Sequence, residues 1–235
     1  TGFMFKSRVA DGDPDIYYCR KGSAASTLSP QDIMSLDYTE FDGIHFTGIT
    51  PALSASTRDA SKALIRLAKQ HNCMFSFDPN LRFQLWSSKQ DMISCINQMA
   101  FQADLFFPGI GEAEQLTGKS SPEAVAEFYL LHGTKAIVVK LGERGAYYSS
   151  YDGQHGFVHG FPAHPIVDTV GAGDGFAAGV LSALREGLSL EQAVLRGCAV
   201  GAIQVMSRGD NDGLPTRQEL KDFMDGKLDW RAHQL

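Results

Sequence analysis

The chain is poor in the features that mark secreted, metal-stapled and membrane proteins. Its four cysteines are widely separated along 235 residues and form no C-x-x-C pair, which argues against a zinc site and a disulfide framework. No apolar run approaches the length of a membrane span, and no signal-peptide pattern opens the sequence. These absences favour a cytoplasmic protein without a membrane partner.

Positive charge is also scarce. The chain has 21 Lys and Arg residues against 27 Asp and Glu residues, a net charge of -6, which argues against nucleic acid as the main partner. Its 43% hydrophobic content is ordinary for a globular protein. We expect a single α/β domain over residues 1–235, with no internal repeat or linker. Because the sequence has no initiator methionine and opens on the strand-like TGFMFKSRV, we also expect an upstream part to be absent.

Strand-like and helix-like segments alternate through the middle of the chain. The predicted strands are apolar throughout, which is typical of a parallel sheet covered on both faces. Antiparallel strands are predicted after Gly142, and an N-terminal hairpin is predicted to project from the domain. The predicted strands are 3–9, 16–21, 43–47, 73–77, 105–107, 136–140, 146–150 and 157–160. The main predicted helices are 56–70, 89–99, 112–116, 122–131, 190–206 and 216–224.

The most informative stretch is IVDTVGAGDGFAAGVLSAL, residues 166–184. A short β-rich run at 166–170 meets Gly171-Ala172-Gly173, and the apolar spacing then becomes helical. The glycines permit a sharp turn and leave N–H groups uncovered at the helix N-terminus, which makes an anion site. Asp174 inside that site is either an ordinary capping acid or a base that accepts a proton while a phosphate is transferred. The bare glycines favour the second interpretation.

Two commoner phosphate motifs are not matched. Gly171-x-Gly173 followed by Gly175 is not G-x-G-x-x-G, and Gly118-Lys119-Ser120 lacks the earlier glycine of a P-loop because position 113 is Ala113. The turn at Gly171 therefore needs another explanation.

Two arginine-bearing segments are candidate anion sites. In Asp78-Pro79-Asn80-Leu81-Arg82, the guanidinium could grip a planar anion through paired hydrogen bonds, or could pair with Asp78 to hold the loop. Tyr18 and Arg20, on the predicted hairpin, suit a sugar that carries a carboxylate. Plain alternation along an exposed ribbon explains this pair equally well.

Two further segments follow predicted strands, where ligands bind in open α/β sheets. Glu112 could hold Mg²⁺ through water or could cap the helix that begins there. In Lys140-Leu141-Gly142-Glu143-Arg144-Gly145, the G-x-x-G pattern lets backbone approach a nucleotide, although a tight turn would also account for it.

The segment DTVGAGDGFAAG, residues 168–179, resembles the C-terminal signature of the ribokinase-like carbohydrate kinases. With GITPALS, FDPNLRFQLW and GDNDGLP, the resemblance extends over essentially the whole chain and is greatest to members that act on sugar acids. It implies an α/β fold, a ribokinase-like three-layer sandwich with a mainly parallel central sheet and a small projecting β lid, to which residues 1–28 contribute. The usual N-terminal part, with its Gly-Gly sugar-binding motif, has no counterpart here.

The resemblance also implies an activity, namely ATP-dependent phosphorylation of 2-keto-3-deoxygluconate or a similar sugar acid at its terminal hydroxyl. Asp174 would be the catalytic base, and Gly171, Ala172 and Gly173 would form the anion hole. The implied substrate-binding residues are Tyr18, Arg20, Arg82, Asp174 and Asp210. The implied nucleotide-binding residues are Asn80, Arg82, Lys140, Gly142, Gly145, Gly171, Gly173 and Cys198.

The resemblance also bears on metal ions, and other functions remain as alternatives. Glu112 matches the Glu of the family's Asn-x-x-Glu motif and would serve Mg²⁺, although Gly109 replaces the Asn. Some members bind a monovalent cation near the position of Asp168. A homodimer or larger homo-oligomer through the lid is expected. The alternatives are a kinase of a neutral sugar such as fructose or ribose, and a non-catalytic remnant that binds nucleotide or sugar.

Overall fold

A computed structural model of the chain describes residues 2–6, 16–20, 22–209 and 211–227. The chain divides into two compact units, Thr1–Ile137 and Val138–Leu235, and the boundary falls inside a strand. The expectation of one domain over the whole chain stays a prediction. The turn of the N-terminal hairpin, residues 11–14, lies outside the described residues, and so does Asp210.

The strands in the described residues are β1 (Phe3–Lys6), β2 (Ile16–Cys19), β3 (Gly43–Thr47), β4 (Met74–Asp78), β5 (Leu105–Phe106), β6 (Ala136–Lys140), β7 (Gly145–Ser150) and β8 (His155–His159). They form an antiparallel two-stranded sheet of β1 and β2, and a six-stranded sheet in the order β3-β4-β5-β6-β7-β8. Pairing is parallel from β3 to β6 and antiparallel between β7 and β8. The mainly parallel sheet and its antiparallel end were both predicted and are confirmed.

The α-helices in the described residues are α1 (Pro30–Met34), α2 (Ala55–Gln70), α3 (Lys89–Ala100), α4 (Ile110–Thr117), α5 (Pro122–Leu131), α6 (Ala172–Arg185), α7 (Leu190–Val205) and α8 (Arg217–Met224). Capping residues define several of their starts. At α7, the Ser189 side chain accepts from the Gln192 N–H, and Gln192 accepts from the Ser189 N–H, which is the predicted capping box. Within the described part of the chain, no helix is both long and apolar enough to cross a bilayer.

Aromatic side chains fill the core of the first unit. Phe46 on β3 stacks on Phe75 with ring centroids 5.2 Å apart, and Phe77 stacks on Phe106 of β5 at 5.8 Å. Phe75, Phe77 and Phe106 are fully buried. Since strands in the middle of a covered parallel sheet present apolar side chains on both faces, their unbroken apolar pattern is explained.

The β-rich run at 166–170 does not form a strand. The N–H groups of Val167 and Asp168 both donate to the carbonyl of Val205, at the end of α7, at 2.8 and 3.2 Å. The Val170 N–H donates to the Asp168 side chain at 3.0 Å. These backbone groups are satisfied by a helix end and a local turn, so the segment needs no neighbouring strand.

Helices α6 and α7 approach each other through glycine. A Cβ atom built on Gly197 would lie 2.6 Å from Val180 Cγ2 and 2.9 Å from the Phe176 carbonyl oxygen. A Cβ on Gly179 would lie 2.9 Å from the Cα of Gly197. Side chains larger than hydrogen would therefore force the two helices apart.

We predict that Gly197→Ala destabilises the fold. Alanine normally favours a helix by about 1 kcal/mol over glycine, but overpacking here should cost about 1–3 kcal/mol, so a net loss is expected. The free energy of unfolding in denaturant measures it. Gly111→Ala is the matched control, because a Cβ on this exposed glycine of α4 would meet nothing within 4 Å. It should stabilise, and a stabilised Gly197→Ala variant would contradict the packing argument.

Candidate active site

The glycine turn before α6 has the geometry of an anion site. Gly171 is the N-cap residue with φ 82°, in the left-handed region that favours glycine. The helix starts at Ala172, whose N–H donates to the Thr169 carbonyl at 3.4 Å. The N–H groups of a first helical turn point toward the helix N-terminus, where they can bind an anion. The side chain of Asp174 is exposed in this first turn. The predicted turn, with a carboxylate at the positive end of the helix dipole, is confirmed as a local structure.

A cavity of about 540 Å³ adjoins this turn in the second unit. Its lining includes Gly173 together with four other predicted nucleotide-binding residues: Lys140, Gly142, Gly145 and Cys198. These five residues come from three separate parts of the sequence, and the fold brings them to one cavity. A volume of this size is typical of sites for small molecules.

The ammonium group of Lys140 lies close to the glycine turn before α6. A Cβ atom built on Gly173 would lie 3.5 Å from Lys140 Nζ, so the ammonium group lies beside the first turn of α6. A cation and a helix N-terminus are both positive, and a shared anion would stabilise the pair.

The two glycines of the G-x-x-G loop serve different purposes. Gly145 has φ 102°, and a Cβ there would lie 2.0 Å from the Val158 carbonyl oxygen, so the β7–β8 hairpin itself requires glycine. Gly142 has φ 65° and is exposed, with nothing within 4 Å of a built Cβ. The tight turn therefore explains why residue 145 is glycine. At Gly142 the absence of a side chain leaves open space beside the cavity.

Cys198 and a proline-rich segment supply apolar lining to the cavity. Cys198 is buried, and burial raises the pKa of its thiol to about 12, so the group is neutral at physiological pH. The segment 160–166, which includes Phe161, Ala163 and Ile166, also lines the cavity. Sequence reasoning missed it. Its signals were Pro162 and Pro165, which interrupt regular structure between β8 and α6.

In the first unit, the two candidate arginines meet at one tyrosine. The guanidinium carbon of Arg20 lies 4.2 Å from the centroid of the Tyr18 ring, and that of Arg82 lies 5.6 Å from it. Arg82 Nε also donates to the Tyr18 hydroxyl at 3.0 Å, and its Nη1 donates to the Leu81 carbonyl. We call Tyr18, Arg20 and Arg82 the arginine–tyrosine cluster. The contacts of Arg82 thus join its own loop, through Leu81, to Tyr18 on β2, and the alternative of a pair with Asp78 stays open.

Asp78 and Asn80 shape the loop that carries Arg82. The Asn80 N–H donates to Asp78 Oδ1 at 2.9 Å, and Asn80 has φ 36°. The Gly48 N–H donates to the Asp78 carbonyl at 2.8 Å. Asn80 and Arg82 belong to the first unit and are not part of the cavity lining described above. Their predicted nucleotide role stays a prediction.

Glu112 caps α4. Its Oε2 accepts from the Gly109 N–H at 2.9 Å, and its Oε1 accepts from the Leu81 N–H at 2.8 Å. The second bond ties the helix to the loop before Arg82. The capping alternative is therefore observed, while a contact with Mg²⁺ stays a prediction. No cluster of three or more metal-ligating side chains occurs in the described part of the chain.

Two kinases are similar to this chain over nearly its whole length. A 2-dehydro-3-deoxygluconokinase from Bacillus subtilis (strain 168) is 47% identical over 225 residues, which are 95% of this chain and 69% of the relative. Fructokinase-2 of Solanum lycopersicum is 30% identical over 234 residues, which are 96% of this chain and 70% of the relative.

Solved structures show the same likeness. A PfkB protein from Polaromonas sp. JS666 is 45% identical with a TM-score of 0.82, covering 94% of this chain and 70% of that one. A ribokinase II from E. coli, solved with ATP and Mg²⁺, is 27% identical with a TM-score of 0.80, covering 91% and 68%. A fructokinase double mutant from Vibrio cholerae O395, solved with fructose, ADP and a potassium ion, is 28% identical with a TM-score of 0.80, covering 89% and 68%.

These neighbours confirm the predicted ribokinase-like fold. The sequence model of the pfkB family carbohydrate kinases matches residues 1–217. Because this match covers most of the chain, the protein belongs to the pfkB family of carbohydrate kinases.

Proposed function

We propose that this chain transfers the γ-phosphoryl group of ATP to the terminal hydroxyl of 2-keto-3-deoxygluconate or a closely similar sugar acid. The observation that carries the proposal is the arginine–tyrosine cluster, in which two guanidinium groups flank one tyrosine ring. The likeness to the B. subtilis 2-dehydro-3-deoxygluconokinase supports the same substrate.

The chemistry of the cluster suits a sugar that carries a carboxylate. Guanidinium groups bind carboxylates through short, charge-assisted and often paired hydrogen bonds. The Tyr18 ring and hydroxyl hold Arg82 in orientation, so less freedom is lost when the substrate binds. A neutral sugar offers no charge for either arginine, which makes fructose or ribose the weaker candidate.

The turn before α6 supplies the groups for the chemical step. Asp174 accepts the proton of the attacking hydroxyl, a role that contributes on the order of 10²–10⁴-fold to the rate. The first-turn N–H groups of Gly173 and Asp174 and the Lys140 ammonium stabilise charge that develops on the transferred group. Positioning and charge stabilisation account for most of the catalysis of phosphoryl transfer.

The residues of the second-unit cavity fit a nucleotide. Gly142 and Gly173 leave room beside Lys140, and the apolar lining with neutral Cys198 suits a planar base. When bound, ATP supplies the phosphoryl group and Mg²⁺ offsets phosphate charge. Mg²⁺ takes few protein carboxylates and usually keeps several waters, and Glu112 is the residue that we propose to serve it through water. A monovalent cation near Asp168 belongs to the same proposal.

The exposed face of the β1–β2 sheet supports self-association. Phe3, Phe5 and Tyr17 are 61, 62 and 70% exposed. Phe5 is the cross-strand partner of Tyr17, so these rings share one face, whereas Tyr18 pairs with Met4 on the other. We infer that a second copy of the chain covers this aromatic face in a homodimer, because apolar patches on a small exposed sheet favour association.

We predict that Asp174→Asn abolishes nearly all turnover but leaves ATP binding largely intact. The amide cannot accept the proton, although it keeps the size of the side chain. A coupled assay of ADP release and calorimetry with Mg-ATP would measure the two effects.

Glu191→Gln is the matched control for Asp174→Asn. Glu191 is an exposed acid in the first turn of α7, so its loss removes a similar interaction with a helix dipole, worth about 0.3–1 kcal/mol. Its turnover should equal that of the parent. If Asp174→Asn also kept the turnover of the parent, Asp174 would have no part in the proton transfer.

We predict that Arg82→Ala raises KM for an acid sugar by about 10- to 100-fold, since a hydrogen bond to a charged group is worth about 1.5–3 kcal/mol. KM for a neutral sugar should change little. ADP release over a panel of acid and neutral sugars measures the difference, with the exposed Arg66→Ala on α2 as control. Equal effects of Arg82→Ala on KM for both classes of sugar would favour a neutral-sugar kinase.

Binding of ATP and sugar by the parent chain without ADP release would favour a non-catalytic remnant.

We predict that Phe5→Ser shifts the chain from dimer to monomer in sedimentation velocity, because it places a polar group in the middle of the aromatic face. Tyr151→Ser is the control, since Tyr151 is an even more exposed aromatic residue (83%) in the β7–β8 turn, which is not part of the aromatic face. A parent chain that sediments as a monomer would contradict the inferred dimer.

A further inference from the structure

Gln204, on the last turn of α7, carries a buried amide that is only half satisfied. The residue is 0% exposed, and its Nε2 donates to the Gly209 carbonyl at 2.9 Å. Its Oε1 is also buried, and no group in the described residues donates a hydrogen bond to it. An unpaired buried oxygen costs about 1–3 kcal/mol. Packing alone would be served better by an apolar side chain of the same shape.

One side of Gln204 faces the segment that follows α7. Besides the hydrogen bond to Gly209, its Oε1 would lie 2.9 Å from a Cβ built on Gly213. The same Cβ would lie 2.5 Å from Ser207 Oγ, so this part of the chain is closely packed. The Leu214 N–H donates to the Asn211 carbonyl at 3.2 Å, which closes a turn that contains Gly213. The amide therefore binds Gly209 and lies close to Gly213.

The other side of Gln204 faces the first turn of α6. A Cβ built on Gly175 would lie 3.6 Å from Gln204 Cβ and 3.6 Å from Leu214 Cδ2. Gly175 directly follows Asp174, and its N–H donates to the Gly171 carbonyl at 2.8 Å. One side chain thus lies against both the turn that carries Asp174 and the segment after α7.

We propose that Gln204 is a positioning residue for the kinase reaction. It joins the segment after α7 to the first turn of α6, and so holds the Asp174 carboxylate and the neighbouring N–H groups in their working orientation. It acts through Gly209 and Gly175 and touches no substrate. Its unpaired oxygen is a stability cost kept for function, a common trade-off near active sites. The inference rests on the proposed role of Asp174.

The variant Gln204→Met tests this, because methionine keeps a similar shape and removes both amide functions. Its unfolding midpoint should equal or exceed that of the parent, while kcat should fall about tenfold or more, since small displacements of reacting groups are costly. KM for ATP should change little. Backbone amide hydrogen exchange should accelerate in residues 172–176 and 211–214. If Gln204 were only structural, its replacement would lower the unfolding midpoint and would not reduce kcat in a stably folded enzyme.

Two further variants distinguish the effect of the Gln204 amide from the effect of core packing. Ile203→Met changes the neighbouring buried side chain of α7 without touching the amide, and should keep kcat and the exchange pattern of the parent. Gln204→Glu can donate to Gly209 only when protonated, and burial raises the pKa of a carboxyl group. Its kcat relative to the parent should therefore rise as the pH falls, whereas the ratio for Gln204→Met should stay level.

The inference is overturned if Gln204→Met keeps both kcat and the exchange pattern of the parent. Equal losses of kcat in Gln204→Met and Ile203→Met would overturn it as well, because packing would then suffice. Failure of the proposed function is seen separately, as absence of ADP release by the parent chain with every sugar. In that case hydrogen exchange in the same variants, which needs no turnover, decides the role of Gln204.

Discussion

The close approach of α6 and α7 is the constraint on which the candidate active site depends. Gly179 on one helix and Gly197 on the other let the two backbones meet without intervening side chains. The end of α7 then supplies the Val205 carbonyl, which accepts the N–H groups of Val167 and Asp168 just ahead of the glycine turn. The turn before α6 is therefore held by a helix end and not by a strand of the sheet.

Local positive charge in an acidic protein is the second organising feature. The chain carries a net charge of -6, yet Lys140 lies beside the N-terminus of α6, and Arg20 and Arg82 flank Tyr18. Each arrangement gathers positive groups where a bound anion would stabilise them. The proposed substrates, ATP and a sugar acid, are both anionic, so the proposed function accounts for both arrangements.

Much of the fold was predictable because local signals agreed with it. The bounds of β3, β6 and α5 match the prediction, since unbroken apolar runs and a Ser-Pro helix start are strong local signals. At 166–170 the β-rich composition is not matched by a strand, because Val167 and Asp168 obtain their hydrogen-bond partner from the end of a distant helix. For Glu112, sequence left capping and metal binding open, and the structure adds the bond to Leu81, a contact 31 positions away in the chain.

The sequence by itself determined the family, the elements and the chemistry of the glycine turn, because these depend on residue type and on spacing over short distances. Only the tertiary structure decided which distant residues meet. It brought Lys140, Gly173 and Cys198 to one cavity, set Arg82 against Tyr18, and buried Gln204 against Gly175. Such contacts arise from the packing of whole helices and loops, and a one-dimensional pattern carries no signal for the distance between residues far apart in the chain.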